Sequence, residues 1–459
     1  MPSPSASNQP TPPVFSLLGY LAVGFLTLLL PECSLSDAQV IDGRYATIDF
    51  LKTIFFTLLA WVAITAWWVH GFYKLKVKDS IPGEWLGHAL AGLVPLALLA
   101  AWCKPFLSVD TTYYVAYGRQ LAVLGLNPYQ VNLYASETDP IISQVSHMWF
   151  GTTALFGPVA LALYAVPNLL VPNPQLLQLA TVLKFLWLPF YFSLGALVLA
   201  HWSDDENRLT MALAVVANPI LLWLGLVDGH VDILITLFMA LTAYLMSKDR
   251  PEWSAVALSL AASLKLVAIV VLPVCFFWWL SQSVRKALRF SAVFVALYGG
   301  LYLAVRGGEY LAVIEFTKNW DNLVAANLVP ALLNRLHLEL HQVQRYSNLV
   351  FYATVAAVCW PTWRGRFEKN PALPMGLAMG GLVLTRTYFQ PWYTLWFWPL
   401  LWFACKDFKS FYQQLGLWTL TVLFTWFLPW TIKGYLVGLA TLIALAHAVR
   451  VNRPPPEPA

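Results

Sequence analysis

The chain alternates long apolar runs with short polar breaks. A helix crosses the hydrocarbon core of a bilayer with roughly 20 apolar residues. Runs near that length lie at 14–30, 51–70, 87–105, 153–171, 176–200, 210–227, 231–247, 254–282, 290–305, 346–361, 372–385, 391–404, 412–429 and 434–448. Several are short, and are expected to be tilted, broken or re-entrant, which leaves about 11 to 13 true crossings. The pattern predicts an all-α, polytopic integral membrane protein.

One sizeable stretch departs from this pattern. From Ser108 to Pro158 the chain is rich in Tyr, Asn, Gln, Ser and Thr, and it opens with a carboxylate, Asp110, at the end of an apolar run. Tyr113, Ala116, Tyr117, Leu121 and Leu124 recur at helical spacing, with Thr112, Arg119 and Gln120 off that stripe. The spacing predicts an amphipathic helix lying along the membrane interface and ended by Gly125. In a chain of apolar helices, one large polar loop is the natural place for chemistry.

Composition agrees: 59% of residues are hydrophobic and 11% charged, where a soluble domain carries about 25% charged residues. A net charge of +5 gives no reason to expect a nucleic-acid partner. The basic residues fall in short breaks: Lys74, Lys76 and Lys78; Lys248 and Arg250; Arg285, Lys286 and Arg289; Arg364, Arg366 and Lys369; Lys406 and Lys409; Arg450 and Arg453. The excess of Lys and Arg in cytoplasmic loops sets orientation. It places both termini inside, and Asp110, Asp228–Asp232, Arg306–Asp321 and Thr385–Tyr393 on the extracytoplasmic face. Three runs lie between the 108–152 loop and the turn at 228, an odd number that leaves the parity there open; Asn218-Pro219 splits the run at 210–227, which would allow that run to be re-entrant. The expected organisation is a disordered tail at 1–13, one transmembrane domain at 14–449 containing the outer loop at 108–152, and a Pro-rich cytoplasmic tail at 450–459. The run at 14–30 reads as a first span rather than a cleaved signal, because no basic residue precedes it and no small-residue cleavage site follows. The five cysteines form no C-x-x-C pair and read as small buried hydrophobes.

Several polar positions carry candidate chemistry. Asp110 can cap its helix by accepting from the amide of Thr112 or Tyr113, and a cap that fixes a carboxylate is compatible with a base. Gly125-Leu126-Asn127-Pro128-Tyr129 reads as a helix end and a turn. Trp149 is an interfacial anchor by default. Asp228-Gly229-His230-Val231-Asp232 is a solvated turn or a substrate-binding turn; a divalent-cation site there would be cramped. Arg386 can snorkel to the interface or grip a phosphate in bidentate fashion, with Lys265, Arg306, Lys318 and Arg119 as weaker candidates for that task. A Lys in mid-span costs about 2.5–3.5 kcal/mol on insertion scales. The run at 254–282 is therefore expected to be two short helices with Lys265 at the turn between them.

Taken in order, the motifs are Asp-x-x-x-Tyr at 110–114, Gly118-Arg119, Gly125 to Tyr129, Trp149, Gly157-Pro158, Asn218-Pro219, Gly229-His230-x-Asp232, Lys265 and Pro391-Trp392-Tyr393. No one of them is specific, but the colinear set resembles the bacterial GT-C glycosyltransferases over about residues 87 to 404. The nearest look-alikes are the polyprenol-phosphate-mannose-dependent α-mannosyltransferases. The resemblance implies a GT-C-like membrane enzyme with its site on the extracytoplasmic face. Such an enzyme moves a hexose, mannose first among them, from a polyprenyl-phosphate sugar to a hydroxyl of a glycan or glycolipid acceptor, with inversion. Asp110 is then the general base, and Tyr114, Tyr117, Arg119, Asn127, Tyr129, His230, Asp232, Lys265, Arg386, Trp392 and Tyr393 are substrate-binding candidates. No metal and no cofactor beyond the lipid-linked donor is expected. Phe156 stands where Tyr is usual before Gly-Pro, Phe150-Gly151 replaces an Arg after the Trp, and Val231 stands where Asn is usual. These departures bear on which sugar is used. The alternatives are a transporter or flippase for a lipid-linked sugar, which predicts paired broken helices in two symmetric halves, and a non-catalytic scaffold.

The orientation is tested by labelling intact cells with an impermeant thiol reagent, in a background without the native cysteines. Asn132→Cys is expected to label from outside and Lys76→Cys to stay unlabelled, and equal labelling of both would contradict the assignment.

Overall fold

The computed structural model describes residues 84–105, 107–305, 327–426, 428 and 430–452, with scattered positions between 21 and 68. The expected spans at 14–30 and 51–70 are described only in part. The tail at 1–13, the basic loop at 74–78 and the candidates Arg306 and Lys318 lie outside the described residues.

Every regular element among the described residues is helical, as the apolar pattern requires. In chain order these are α1 (Glu84–Trp102), α2 (Asp110–Ala122), α3 (Pro158–Leu170), α4 (Leu176–His201), α5 (Arg208–Val216), α6 (Pro219–Leu222), α7 (Asp232–Ser247) and α8 (Pro251–Leu264). Then come α9 (Leu272–Gln282), α10 (Val284–Ala304), α11 (Leu328–Asn334), α12 (Leu340–Trp363), α13 (Ala372–Thr385), α14 (Trp398–Phe403), α15 (Phe408–Thr425) and α16 (Trp430–Val451). Among the described residues, Leu176–His201, Val284–Ala304 and Ile432–Val451 are each long and apolar enough to cross a membrane. Arg208–Val216 and Pro219–Val227 together make a fourth such segment, bent by 45°.

That bend is written in the sequence at Asn218-Pro219. Pro219 cannot continue the helix through a backbone N–H. Asn218 restarts it: its Oδ1 accepts from the amides of Ile220 and Leu221 at 3.0 Å each, and its Nδ2 donates to Thr419 Oγ1 at 2.7 Å. The turn of π-helix at Trp223–Val227 then leads into the polar turn at 228–231. The break at Lys265 is equally local. Lys265 is extended, with φ −154° and ψ 130°, and a 3₁₀ stretch at Leu266–Val271 joins it to α9. The helix stops at the charged residue because a lysine inside a continuous apolar helix would be left without a polar partner.

One expectation fails. α2 does not present the exposed polar face of an amphipathic surface helix. Thr111, Thr112 and Gln120 are buried, whereas Leu121 and Leu124 are exposed. The helix is wedged against α3 and α4. The loop after it folds back, so that Gln120 Nε2 donates to Asn132 O at 3.0 Å and to Ser136 Oγ at 2.9 Å. Polar side chains that would face water on a surface helix here find partners inside. α2 ends at Ala122, and Gly125 takes φ +64° in the turn beyond, so glycine ends the element by its left-handed backbone as expected.

Two glycines set the packing around α2 and α3. A Cβ at Gly118 would lie 2.0 Å from Tyr164 O, and one at Gly157 would lie 2.2 Å from Ser263 O. Gly157 also donates its N–H to Leu264 O at 2.9 Å, which ties the start of α3 to the end of α8 beside Lys265. Gly157→Ala is therefore expected to lower the thermal midpoint sharply, on the scale of about 1–3 kcal/mol or more for overpacking. Gly416→Ala, with nothing within 4 Å of its Cβ, should leave it unchanged or raise it, and a similar fall in both would refute the packing argument.

Candidate active site

The site is built from the first turn of α2, the 228–232 turn, the break after α8 and the aromatic segment Pro391–Trp396. Asp110 is the first residue inside α2 and not its cap. Val109 occupies the cap position, no side chain caps the helix, and the Thr112 amide bonds Val109 O at 3.0 Å. The carboxylate is thus not used up on local amides. Its Oδ2 lies 3.6 Å from His230 Nδ1, and the side chain is 26% exposed. Burial pushes Asp110 up to about 6; Lys265 and the Ser108 hydroxyl act downward and the like charge of Asp232 acts upward.

The 228–232 turn is buried, not solvated: Asp228, His230 and Asp232 are all inaccessible to solvent. Gly229 takes φ +66°, and a Cβ there would meet Lys184 Cγ at 2.7 Å and Thr111 Oγ1 at 2.9 Å. Trp187 Nε1 donates to Gly229 O at 2.9 Å, the Thr111 hydroxyl donates to Asp228 O, and the Leu107 amide donates to Asp228 Oδ1 at 3.1 Å. These bonds clamp the turn to the start of α2. Among the described residues no three His, Cys, Asp or Glu side chains are grouped to hold a metal ion. His230 stacks on Trp392 with ring centroids 4.0 Å apart and planes 22° from parallel. Neither ring nitrogen of His230 has a hydrogen-bond partner.

Asp232, the first residue of α7, faces Lys265. Lys265 Nζ is 3.3 Å from Asp232 Oδ1, which also accepts from the Trp396 indole N–H. The ammonium is held among rings, 5.0 Å from the centroids of both Tyr393 and Trp396 and 5.8 Å from that of Phe156. It remains 18% exposed. A cation so held keeps a carboxylate on one side and π faces on the others.

Tyr114 continues the aromatic wall. It stacks on Tyr164 at 4.6 Å, nearly parallel, and meets Phe156 edge-on at 4.9 Å. Tyr117 OH bonds to the Thr152 carbonyl and hydroxyl at 3.2 Å. Tyr129 OH donates to Phe156 O at 2.8 Å, and Asn127 Oδ1 accepts from the Tyr129 amide at 3.0 Å, so both shape the loop under Phe156.

Of the expected site residues, Asp110, His230, Asp232, Lys265, Trp392 and Tyr393 come together. Two cations are engaged elsewhere. Arg119 Nε donates to Asp139 Oδ1 at 2.7 Å. Burial would raise the Asp139 carboxyl, but Arg119 and the amides of Ile141 and Ile142 outweigh it and hold the group below the ordinary carboxylate range. Arg386 donates to Asn348 Oδ1 at 3.0 Å and lies 5.5 Å over the Phe351 ring. Two residues of the neighbourhood escape a reading of the sequence. Trp396 is one aromatic among many, marked only by its place four residues after Trp392. Lys184 is a fully buried lysine in α4 whose Nζ donates to the carbonyls of Cys103 and Val227; a lone cation in an apolar span is itself a signal.

Comparisons with known proteins bear on this arrangement. Alpha-(1->6)-mannopyranosyltransferase A of Mycobacterium tuberculosis is 28% identical over 336 residues, 66% of this chain and 62% of that protein. The matched region thus spans less than two thirds of that relative's length. No solved structure matches the chain. The profile of the alpha-(1->6)-mannopyranosyltransferase N-terminal domain matches residues 14–281, more than half of the chain and the part that contains Asp110, the 228–232 turn and Lys265. The chain therefore belongs to the alpha-(1->6)-mannopyranosyltransferase family.

Proposed function

We propose that this protein is an inverting glycosyltransferase. It moves a hexose, mannose in the first instance, from a polyprenyl phosphate to a hydroxyl of a glycan or glycolipid acceptor on the extracytoplasmic face, with Asp110 as the base. The observation that carries this reading is the setting of Asp110: a carboxylate free of capping bonds, 3.6 Å from the buried His230 ring, under the charge of a ring-enclosed Lys265, and raised by burial to about 6. Family membership supports the same class of chemistry.

The proposed step needs little else. The acceptor O–H gives its proton to the Asp110 carboxylate as the oxygen bonds to the anomeric carbon. The bond from that carbon to the phosphate oxygen breaks, and the phosphate leaves with the electron pair. Attack and departure on opposite faces invert the centre. A phosphate is a weak base and leaves without prior protonation, but its developing charge needs a cation, and Lys265 is the one beside Asp110. The flat faces of Trp392 and Tyr393 suit the apolar face of a sugar ring. A prenyl tail that stays in the bilayer explains why such a site belongs among membrane helices.

Asp110→Asn is expected to fold normally and to lower turnover roughly 10²–10⁴-fold; near-normal turnover would remove Asp110 from the mechanism. The base works ionised, so activity should be full above its titration and fall about tenfold per pH unit below about 6. A rate independent of pH between 4 and 7 would exclude this assignment. Lys265→Met should lower kcat/KM for the donor by about 10²–10³-fold, as for loss of one transition-state donor, while Arg386→Met costs far less. The reverse order would give the phosphate to Arg386.

A further inference from the structure

We infer that His230 is a positioning residue for Asp110, holding one carboxylate oxygen through Nδ1–H so that the other is presented to the acceptor hydroxyl. The inference rests on the reading of Asp110 as the base. It adds a residue whose role is neither binding sugar nor holding phosphate.

Three observations carry it. The first is distance: His230 Nδ1 lies 3.6 Å from Asp110 Oδ2, a small movement from a hydrogen bond. The second is burial. His230 is inaccessible to solvent, and both ring nitrogens are without a partner. A buried polar atom left unbonded is costly, and Asp110 Oδ2, 3.6 Å away, is an acceptor that Nδ1 can reach. The third is restraint. The imidazole is stacked on Trp392, and the turn that carries it is clamped by Trp187 and Thr111. The ring therefore has little freedom to turn away, and neither has a carboxylate bound to it.

The tautomer follows from the charges. A lone pair on Nδ1 would face the carboxylate and repel it, so the neutral ring carries its proton on Nδ1. A second proton is disfavoured: burial pushes His230 well below the usual imidazole range, and Lys265 acts in the same direction. His230 thus stays a neutral donor while Asp110 titrates, and it does not relay the acceptor's proton. Lys265, from the break after α8, and Asp232, from the start of α7, act on Asp110 through their charges, while Asp228 of the same turn and Lys184 of α4 are held by backbone bonds to Leu107, Cys103 and Val227. Tyr113, Tyr114 and Tyr117 of α2, Tyr164 of α3, and Tyr388 and Tyr393 of the segment before α14 also act on or feel the Asp110 charge. These are phenols, uncharged near neutral pH.

The test reads the Asp110 carboxyl directly. Infrared spectra of the lipid-reconstituted protein with ¹³C-labelled aspartate are recorded across pH, and the Asp110→Asn spectra are subtracted to isolate one protonated-carboxyl band. His230→Phe keeps the stack on Trp392 and removes the donor. Its Asp110 titration should move up by about one unit, because the donor favours the ionised form. His230→Asn offers an amide N–H near the place of Nδ1 and should titrate near wild type, while His230→Gln, which mimics Nε2, should resemble Phe. In transfer assays kcat should fall about 10- to 100-fold in His230→Phe with donor KM little changed, and recover in His230→Asn. An unmoved titration in His230→Phe would overturn the inference. If that variant does not fold, equal titrations in the Asn and Gln variants would overturn it. The infrared readout needs no turnover. A shifted titration in a protein that transfers no sugar would therefore leave His230 as the positioner and defeat the proposed function instead.

Discussion

The ion pair between Asp232 and Lys265 is the constraint on which the rest of this region depends. It joins the start of α7 to the break between α8 and α9, and through the Trp396 indole it also fixes the segment before α14. Removing one partner of a buried pair costs about 3–5 kcal/mol, because the other charge is left uncompensated. The sequence reaches this geometry by interrupting helices. α8 stops where Lys265 must leave the apolar helix, and α7 begins where Asp232 can meet it. The aromatic rings around the ammonium complete its surroundings without adding a second anion.

Asp110 takes its character from the same group of charges. Lys265 lowers it and Asp232 raises it, so the two members of the pair act on the base in opposite directions. Burial then decides the direction. A lysine without its aspartate would hold Asp110 ionised and weakly basic; an aspartate without its lysine would push it further up. The paired arrangement leaves a carboxylate that is ionised at neutral pH and still basic enough to take a proton. The close approaches at Gly118 and Gly157 keep α2, α3 and α8 near enough for these charges to feel one another.

Much of the fold was legible in the chain, and the reason differs by feature. Apolar runs marked the helices because a membrane demands internal hydrogen bonding throughout. The runs at 176–200 and 372–385 correspond to Leu176–His201 and Ala372–Thr385. Asn218-Pro219 and Lys265 marked breaks because a proline and a buried charge each forbid a plain helix. The burial of α2 was not legible. Its stripe of Tyr and Leu reads as a surface helix only if nothing covers the other face, and the loop that covers it has no periodic signal. The same blindness applied to the 228–232 turn, which reads equally as a solvated or a substrate-binding turn until its burial and the bonds from Trp187 and Thr111 to its backbone are seen. For the candidate site, short motifs nominated Asp110, His230, Asp232 and Lys265. Sequence alone could not tell that Arg119 is bound to Asp139 and Arg386 to Asn348, since a guanidinium's partner is set by packing.

The most direct test of the account is transfer itself. The purified protein in lipid is given radiolabelled polyprenyl-phosphate mannose and a pool of cell-envelope acceptors, and the anomeric configuration of the new linkage is determined. The account predicts label in the acceptor, joined with the configuration opposite to that of the donor. Transfer with retained configuration would contradict attack by an acceptor oxygen activated at Asp110. Absence of transfer from this and every other polyprenyl-phosphate sugar would contradict the proposed reaction as a whole.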